Sequence, residues 1–432
     1  MTAEVAVLNK IGVALAADSA VTVTVGNSQK IYASSNKLFA LSRTQPMGVM
    51  IYGHAELLGV PWETVIKLYR SALRDRSFPT VEGYRDDFIQ FIEKSRQVAT
   101  PEAQAEHVRV RCVRLFQRVV FKLQSALEAK LQSSPGSGVS TNDAILELGH
   151  VAATLLADIR DTPRLDGAAT GFEQRLLKEH GPGIRIVLSS TFAKFPLTRA
   201  HVTALTQLAA VSLAHRGHGN GDSGVVFAGF GTSGLFPAIE ELEVHGVVLG
   251  KMQAHRVSGL HVSRDSNAFI RPFAQRDMVD SFMQGIDPLL RDHAQATISK
   301  LFDYLPAAMV AAIQFGTKKQ RSALSSQLTS KLEPMVKALF QNWRDYRKSV
   351  HIDPVMTAVS VLPKDELGAM AETLVSLTSF KRRVSTEAET VGGPIDVAII
   401  TRGEGFVWIK NKHYFKPELN PTFLARVSKE LT

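Results

Sequence analysis

The stretch Thr2–Ser19, TAEVAVLNKIGVALAADS, decides how this chain is read. From Glu4 to Ala17 it is rich in Val and Ala, broken once by Asn9-Lys10 with Gly12 just beyond. Two apolar runs around a tight polar turn read as a pair of short strands. Further along, VTVTVGNSQKIYA (21–33) alternates Val and Thr up to a turn at Gly26-Asn27. NKLFALS and MGVMIYG then form another strand pair around a turn at Arg43–Pro46. Consecutive short strands joined by tight turns favour an antiparallel sheet over βαβ units, which need long crossovers.

The texture becomes helical at Pro61. PWETVIKLYRSALRD (61–75) spaces Val65, Ile66, Leu68, Tyr69 and Leu73 along one helix face, with Pro61 in the first turn. Helices are predicted over Glu102–Leu131 and Thr141–Ile159, with the turn-rich SSPGSGVST (133–141) between them. Further helices follow over HVTALTQLAAVSLAHR up to Gly217, over most of Asp277–Arg347, and over Pro363–Phe380. GPGIRIVLSSTF (181–192) reads as a strand, as do VVFAGFG, the stretch from Val244 to Ile270, and the closing IDVAIITRGEG and FVWIKN. Both ends are therefore β-rich, with helical material interleaved. Lacking a long Pro/Gly/Ser linker or a fixed-period repeat, the chain is expected to form one elaborated α+β domain over 1–432.

Composition narrows the function classes. Of 432 residues, 45% are hydrophobic and 21% charged, which excludes wholesale disorder and fibrous repeats. No apolar run is expected to approach the ~20 residues of a membrane span, and the N-terminus has no signal-peptide pattern. Cys112 is the single cysteine, so neither an intrachain disulfide nor a cysteine-based metal cluster can be built. A cytoplasmic protein without membrane partners is the expectation. The net charge of +9 raises a nucleic-acid reading. However, the densest basic stretch, Arg109 to Lys122, places Arg114, Arg118 and Lys122 on one helix face, the pattern of a solvated surface.

Two motifs carry little weight. Gly229-Phe230-Gly231-Thr232-Ser233-Gly234 matches the dinucleotide-binding expression, but strands rather than a helix follow it, so it reads as a turn. His215 and His218 form an H-x-x-H pair without the further ligands a metal needs.

The stronger signal is Thr2. Removal of Met1 before a small residue would leave a free α-amine on Thr2. A terminal threonine then holds a nucleophilic hydroxyl and, in its amine of pKa near ~8, a base. Asp18 ends the second strand, Lys37 opens NKLFAL, and Gly53 closes MIYGHAE just before a helix. In that order and on those elements, the chain resembles proteasome β-subunits and their bacterial relatives, the HslV and Anbu-type ancestral β-subunits, which are N-terminal nucleophile hydrolases. The resemblance runs through Val5-Ala6-Val7, Ala16-Ala17-Asp18-Ser19, Asn36-Lys37-Leu38 and Gly53. It resumes at VVFAGFG…FPAIEELEVHG and at GGPIDVAIITRGEG, and covers about half the chain.

The resemblance implies a four-layer αββα sandwich with its core at about 2–60, 222–277 and 365–412, and helical elaborations at about 61–221 and 278–364. It implies threonine-dependent hydrolysis of peptide bonds in peptides or unfolded protein through an acyl-enzyme, with no metal or organic cofactor. Thr2 would attack, Lys37 would lower the pKa of its hydroxyl, Asp18 would hold Lys37, and the Gly53 N–H would bind the oxyanion. A homo-oligomeric ring and an AAA+ unfoldase partner are also implied. Two family segments are altered. Gly-Ser-Gly-Ser is replaced by Arg271–Asp277, and Asp-x-x-Ser-Gly-Gly appears as Ala388–Gly393, where Glu387, Glu389 or Thr390 could substitute. These changes leave two alternatives open, a catalytically silent ring or scaffold protein and a basic nucleic-acid-binding protein.

Overall fold

The structure, a computed structural model, describes residues 2–25, 28–133, 138, 140–217, 222–313, 316–385, 391–413, 415–422 and 425. The strands are β1 (Ala3–Asn9), β2 (Gly12–Ala17), β3 (Val21–Val25), β4 (Ser28–Tyr32), β5 (Leu38–Ala40), β6 (Met47–Gly53), β7 (Glu56–Leu57), β8 (Val60–Pro61), β9 (Ser223–Gly229), β10 (Ala238–Val248), β11 (Lys251–His261), β12 (Ala268–Ala274), β13 (Asp396–Thr401) and β14 (Gly405–Lys410). The helices are α1 (Trp62–Leu73), α2 (Val81–Lys94), α3 (Pro101–Ser133), α4 (Thr141–Arg160), α5 (Phe172–Thr191), α6 (Arg199–Ala214), α7 (Asp277–Gln284), α8 (Pro288–Ile313), α9 (Lys318–Arg347), α10 (Asp353–Val361) and α11 (Lys364–Val384). The chain is α+β, with antiparallel pairing in its strand ladders.

It divides into two compact units. The first comprises 1–38 and 261–432. Its sheet has the order β12-β1-β2-β13-β14, so the N-terminal hairpin is flanked by strands from far along the chain. Every residue of β1 and β2 is buried. Side chains alternate across a strand, and Ala3, Val5 and Val7 pack with Leu367, Ala371, Leu374 and Val375 of α11. Gly368 allows that helix to lie close to Ile399 of β13, where a Cβ would come within 3.1 Å. Thr2 and Glu4 therefore belong to the opposite face of β1.

The second unit comprises 39–260. Its sheet has the order β11-β10-β9-β6-β5. Helices α1 and α2 cover it through an aromatic cluster in which Phe88 meets Tyr69 edge-on at 5.0 Å and Phe227 at 5.3 Å. Helices α3 to α6 build a separate core around Phe116, Leu155, Phe172 and Leu208.

Several sequence expectations change. GPGIRIVLSSTF lies within helix α5, not in a strand. Its β-branched residues and Gly/Pro punctuation suggest a strand, yet Ile184, Val187 and Leu188 fall at helical spacing and are buried in the helical core. Helix α8 is also long and apolar enough to cross a membrane by length and composition, contrary to the expectation that no segment approaches that. The glycine-rich 229–234 segment does join β9 to β10 without an intervening helix, and the Thr232 and Ser233 N–H groups donate to the Phe78 and Pro79 carbonyls. His215 Nδ1 lies 2.9 Å from the Thr162 carbonyl, while His218 lies outside the described residues. On α3, Arg114 and Arg118 are exposed opposite the buried Cys112, Phe116 and Val119, as a solvated face requires.

Candidate active site

The first unit brings together Thr2, Asp18 and Lys37. Asp18 follows the last residue of β2, and its own N–H donates to the Ala3 carbonyl at 3.1 Å, closing the end of the β1–β2 ladder. Its carboxylate is held from four directions. Oδ1 accepts from the Ala3 N–H at 3.1 Å and from Lys37 Nζ at 2.5 Å. Oδ2 accepts from the Gly392 N–H at 2.9 Å and the Ala20 N–H at 3.3 Å. Lys37 reaches this position from the residue just before β5, with its side chain 5% exposed. A lysine is rarely buried unless paired, and here Asp18 supplies the pairing.

Thr2 is buried beside the start of β1. Its carbonyl accepts the Gln275 N–H at 3.3 Å, and the Gln275 side chain is in turn held by Arg382 Nε of α11 at 2.6 Å. Gln275, within the Arg271–Asp277 segment, thus lies against Thr2 and contributes a backbone donor. Gly392-Gly393 also borders the site. The Gly392 carbonyl accepts the Ser19 N–H at 3.2 Å, and Gly393 has φ +79°, a conformation that favours glycine. Glu387, Glu389 and Thr390 lie outside the described residues.

Sequence reading did not assign a role to Glu4. The Thr2 hydroxyl donates to Glu4 Oε2 at 3.1 Å. Lys37 Nζ is 3.6 Å from Glu4 Oε1, an ion-pair distance too long for a hydrogen bond, so Oε1 has no hydrogen-bond partner among the described residues. Glu4 is fully buried. Burial pushes its carboxyl up to about 8, and the negative charge of Asp18 adds to the rise while Lys37 opposes it. The available signal was a lone carboxylate in a Val/Ala strand, two residues from Thr2 and hence on its face. Two carboxylates, one ammonium and a hydroxyl can polarise and deprotonate the hydroxyl. The ammonium occupies the place a cation would need between the carboxylates, so this set does not fit a metal.

Gly53 belongs to the second unit. It ends β6 opposite Ser223 with φ +83°, and a Cβ there would run into the Asp222 carbonyl oxygen. Glycine is thus required at this position for backbone reasons alone.

No family model and no curated protein matches the chain. A solved structure, Anbu (ancestral beta-subunit) from Yersinia bercovieri, aligns over 99% of this chain and 95% of that one, at 8% identity and a TM-score of 0.24. A superposition that loose carries no argument for this chain.

Proposed function

We propose that the chain is a threonine-type amide hydrolase that cleaves peptide bonds in peptides or unfolded protein, with Thr2 as the nucleophile exposed by removal of Met1. The observation that carries this reading is the placement of the Thr2 hydroxyl in a buried cluster with Glu4, Asp18 and Lys37. Such grouping of a hydroxyl with buried titratable groups is typical of reaction centres. Thr2 Oγ1 attacks the scissile carbonyl, and the acyl-enzyme is released by water. The Lys37 ammonium favours the developing alkoxide, and Asp18 orients Lys37. The sequence resemblance assigns the role of oxyanion donor to the Gly53 N–H.

The accompanying architecture is one proteasome-like αββα domain with its core at about 2–60, 222–277 and 365–412, assembled into a homo-oligomeric ring that an AAA+ unfoldase could feed. A catalytically silent ring or scaffold subunit is the second reading, favoured by the absence of a serine from Arg271–Asp277.

The test is N-terminal sequencing of the purified protein, followed by turnover of β-casein on a gel by the wild type and Thr2→Ala. The proposal expects Thr2 as the first residue and complete loss of turnover in a folded Thr2→Ala protein. Undiminished turnover by that variant would sink the mechanism. A wild type with Met1 removed that neither cleaves casein nor is acylated by a β-lactone supports the silent reading.

A further inference from the structure

We propose that Glu4 is the base that takes the proton of the Thr2 hydroxyl. This rests on the reading of Thr2 as the nucleophile. The α-amine of a terminal threonine can play that part in principle, but the hydroxyl's hydrogen bond runs to Glu4 Oε2, at 3.1 Å. A base must first be within reach of the proton it removes, and Glu4 meets that condition without any movement.

The other carboxylate is already committed. Both oxygens of Asp18 are engaged, by three backbone N–H groups and Lys37. Glu4 has Thr2 on one oxygen and the more distant Lys37 ammonium on the other, so it keeps acceptor capacity. The two carboxylates thus divide the work: Asp18 positions the lysine, and Glu4 exchanges the proton. Burial raises Glu4 to about 8, close to the working pH at which a general base is most effective.

The cycle balances. As Thr2 Oγ1 bonds to the scissile carbonyl carbon, its proton moves to Glu4 Oε2. The C–N bond then breaks, and the leaving amine takes that proton from Glu4. Water attacks the resulting ester and gives a proton to Glu4. The ester C–O bond breaks, and Thr2 Oγ1 recovers the proton. The net change is one water consumed per amide cleaved.

The experiment uses the full chain and a small β-lactone that acylates a nucleophilic threonine hydroxyl, followed by intact mass between pH 5 and 10. Wild-type labelling should rise about tenfold per pH unit and level off near pH 8. Glu4→Gln, which is isosteric and uncharged, should be slower by about 10²–10⁴ on the plateau and lose the rise. Labelling of folded Glu4→Gln at the wild-type rate with the same pH limb would overturn the proposal and leave Thr2 as nucleophile intact. Absence of Thr2 labelling in the wild type would instead remove the reading beneath it. If Glu4→Gln does not fold, Glu4→Asp takes its place: a shifted limb and a slower plateau support Glu4, while a limb and plateau unchanged from the wild type, or a wild-type rate flat from pH 6 to 9, exclude it as the base.

Discussion

Two buried charge clusters, one in each unit, differ in their proportions. In the second unit, Glu240 on β10 faces Arg85 on α2, both nearly inaccessible, and Arg85 Nε also reaches the half-exposed Asp86 at 3.0 Å. Burying an ion is costly, and a single close partner offsets that cost most directly. In the first unit, two buried carboxylates share one lysine. Burial raises the carboxyl of the second, Glu4, and the shared lysine only partly opposes that rise. A matched pair joins a helix to a sheet. An unmatched set retains a group able to gain or lose a proton near neutrality, and a reaction needs such a group.

The sharpest test of this contrast is the shared lysine. Lys37→Ala leaves Asp18 and Glu4 without the cation they share and removes the charge beside Glu4, the partner of the Thr2 hydroxyl. Turnover of casein should fall by about 10²–10⁴. Lys30, exposed on β4, should be dispensable, and Lys30→Ala should match the wild type. Equal, undiminished turnover by the two variants would mean that no lysine in this stretch takes part.

The matched pair should respond in stability rather than in chemistry. Arg85→Ala removes the buried cation beside Glu240, and denaturant titration should show a loss of about 3–5 kcal/mol, the range for breaking a buried pair from one side. A loss below about 1 kcal/mol would place Arg85 among ordinary surface ion pairs.

The smallest effect is the most specific. Between pH 4.5 and about 8, the folded protein keeps a proton on Glu4 that the unfolded chain has released. Stability from this group is therefore fully present below pH 4.5, declines as pH rises to about 8, and is constant above. Glu4→Gln lacks that decline. Thermal melts should show its midpoint gaining on the wild type from pH 5 to 8 by a few degrees, with no further gain at pH 9. A constant difference across that range would mean that Glu4 does not titrate there.

Much of this was legible in the sequence because the relevant signals are local. Thr2, Asp18 and Lys37 sit at strand ends that the apolar runs delimit, and their order along the chain matches their grouping in space. Glu4 was not legible as a functional group. Its spacing of two from Thr2 puts it on the same face, but does not specify what lies across from it, and that depends on the turn after β2 and the approach to β5 that bring Asp18 and Lys37 there. GPGIRIVLSSTF failed for a related reason. Its propensities are those of a strand, while its burial is set by packing in the α3–α6 core.

The Gly392–Asp18 hydrogen bond spans 374 positions, and β2 is completed on one side by β13. Timing follows from that distance. During synthesis Thr2, Glu4, Asp18 and Lys37 emerge well ahead of Gly392, and β2 lacks a neighbour and Asp18 lacks one of its donors until the chain through β13 has left the ribosome. The Thr2 cluster is thus withheld from the nascent polypeptide, and a ribosome that stalls before Gly392 releases a fragment in which it cannot be assembled.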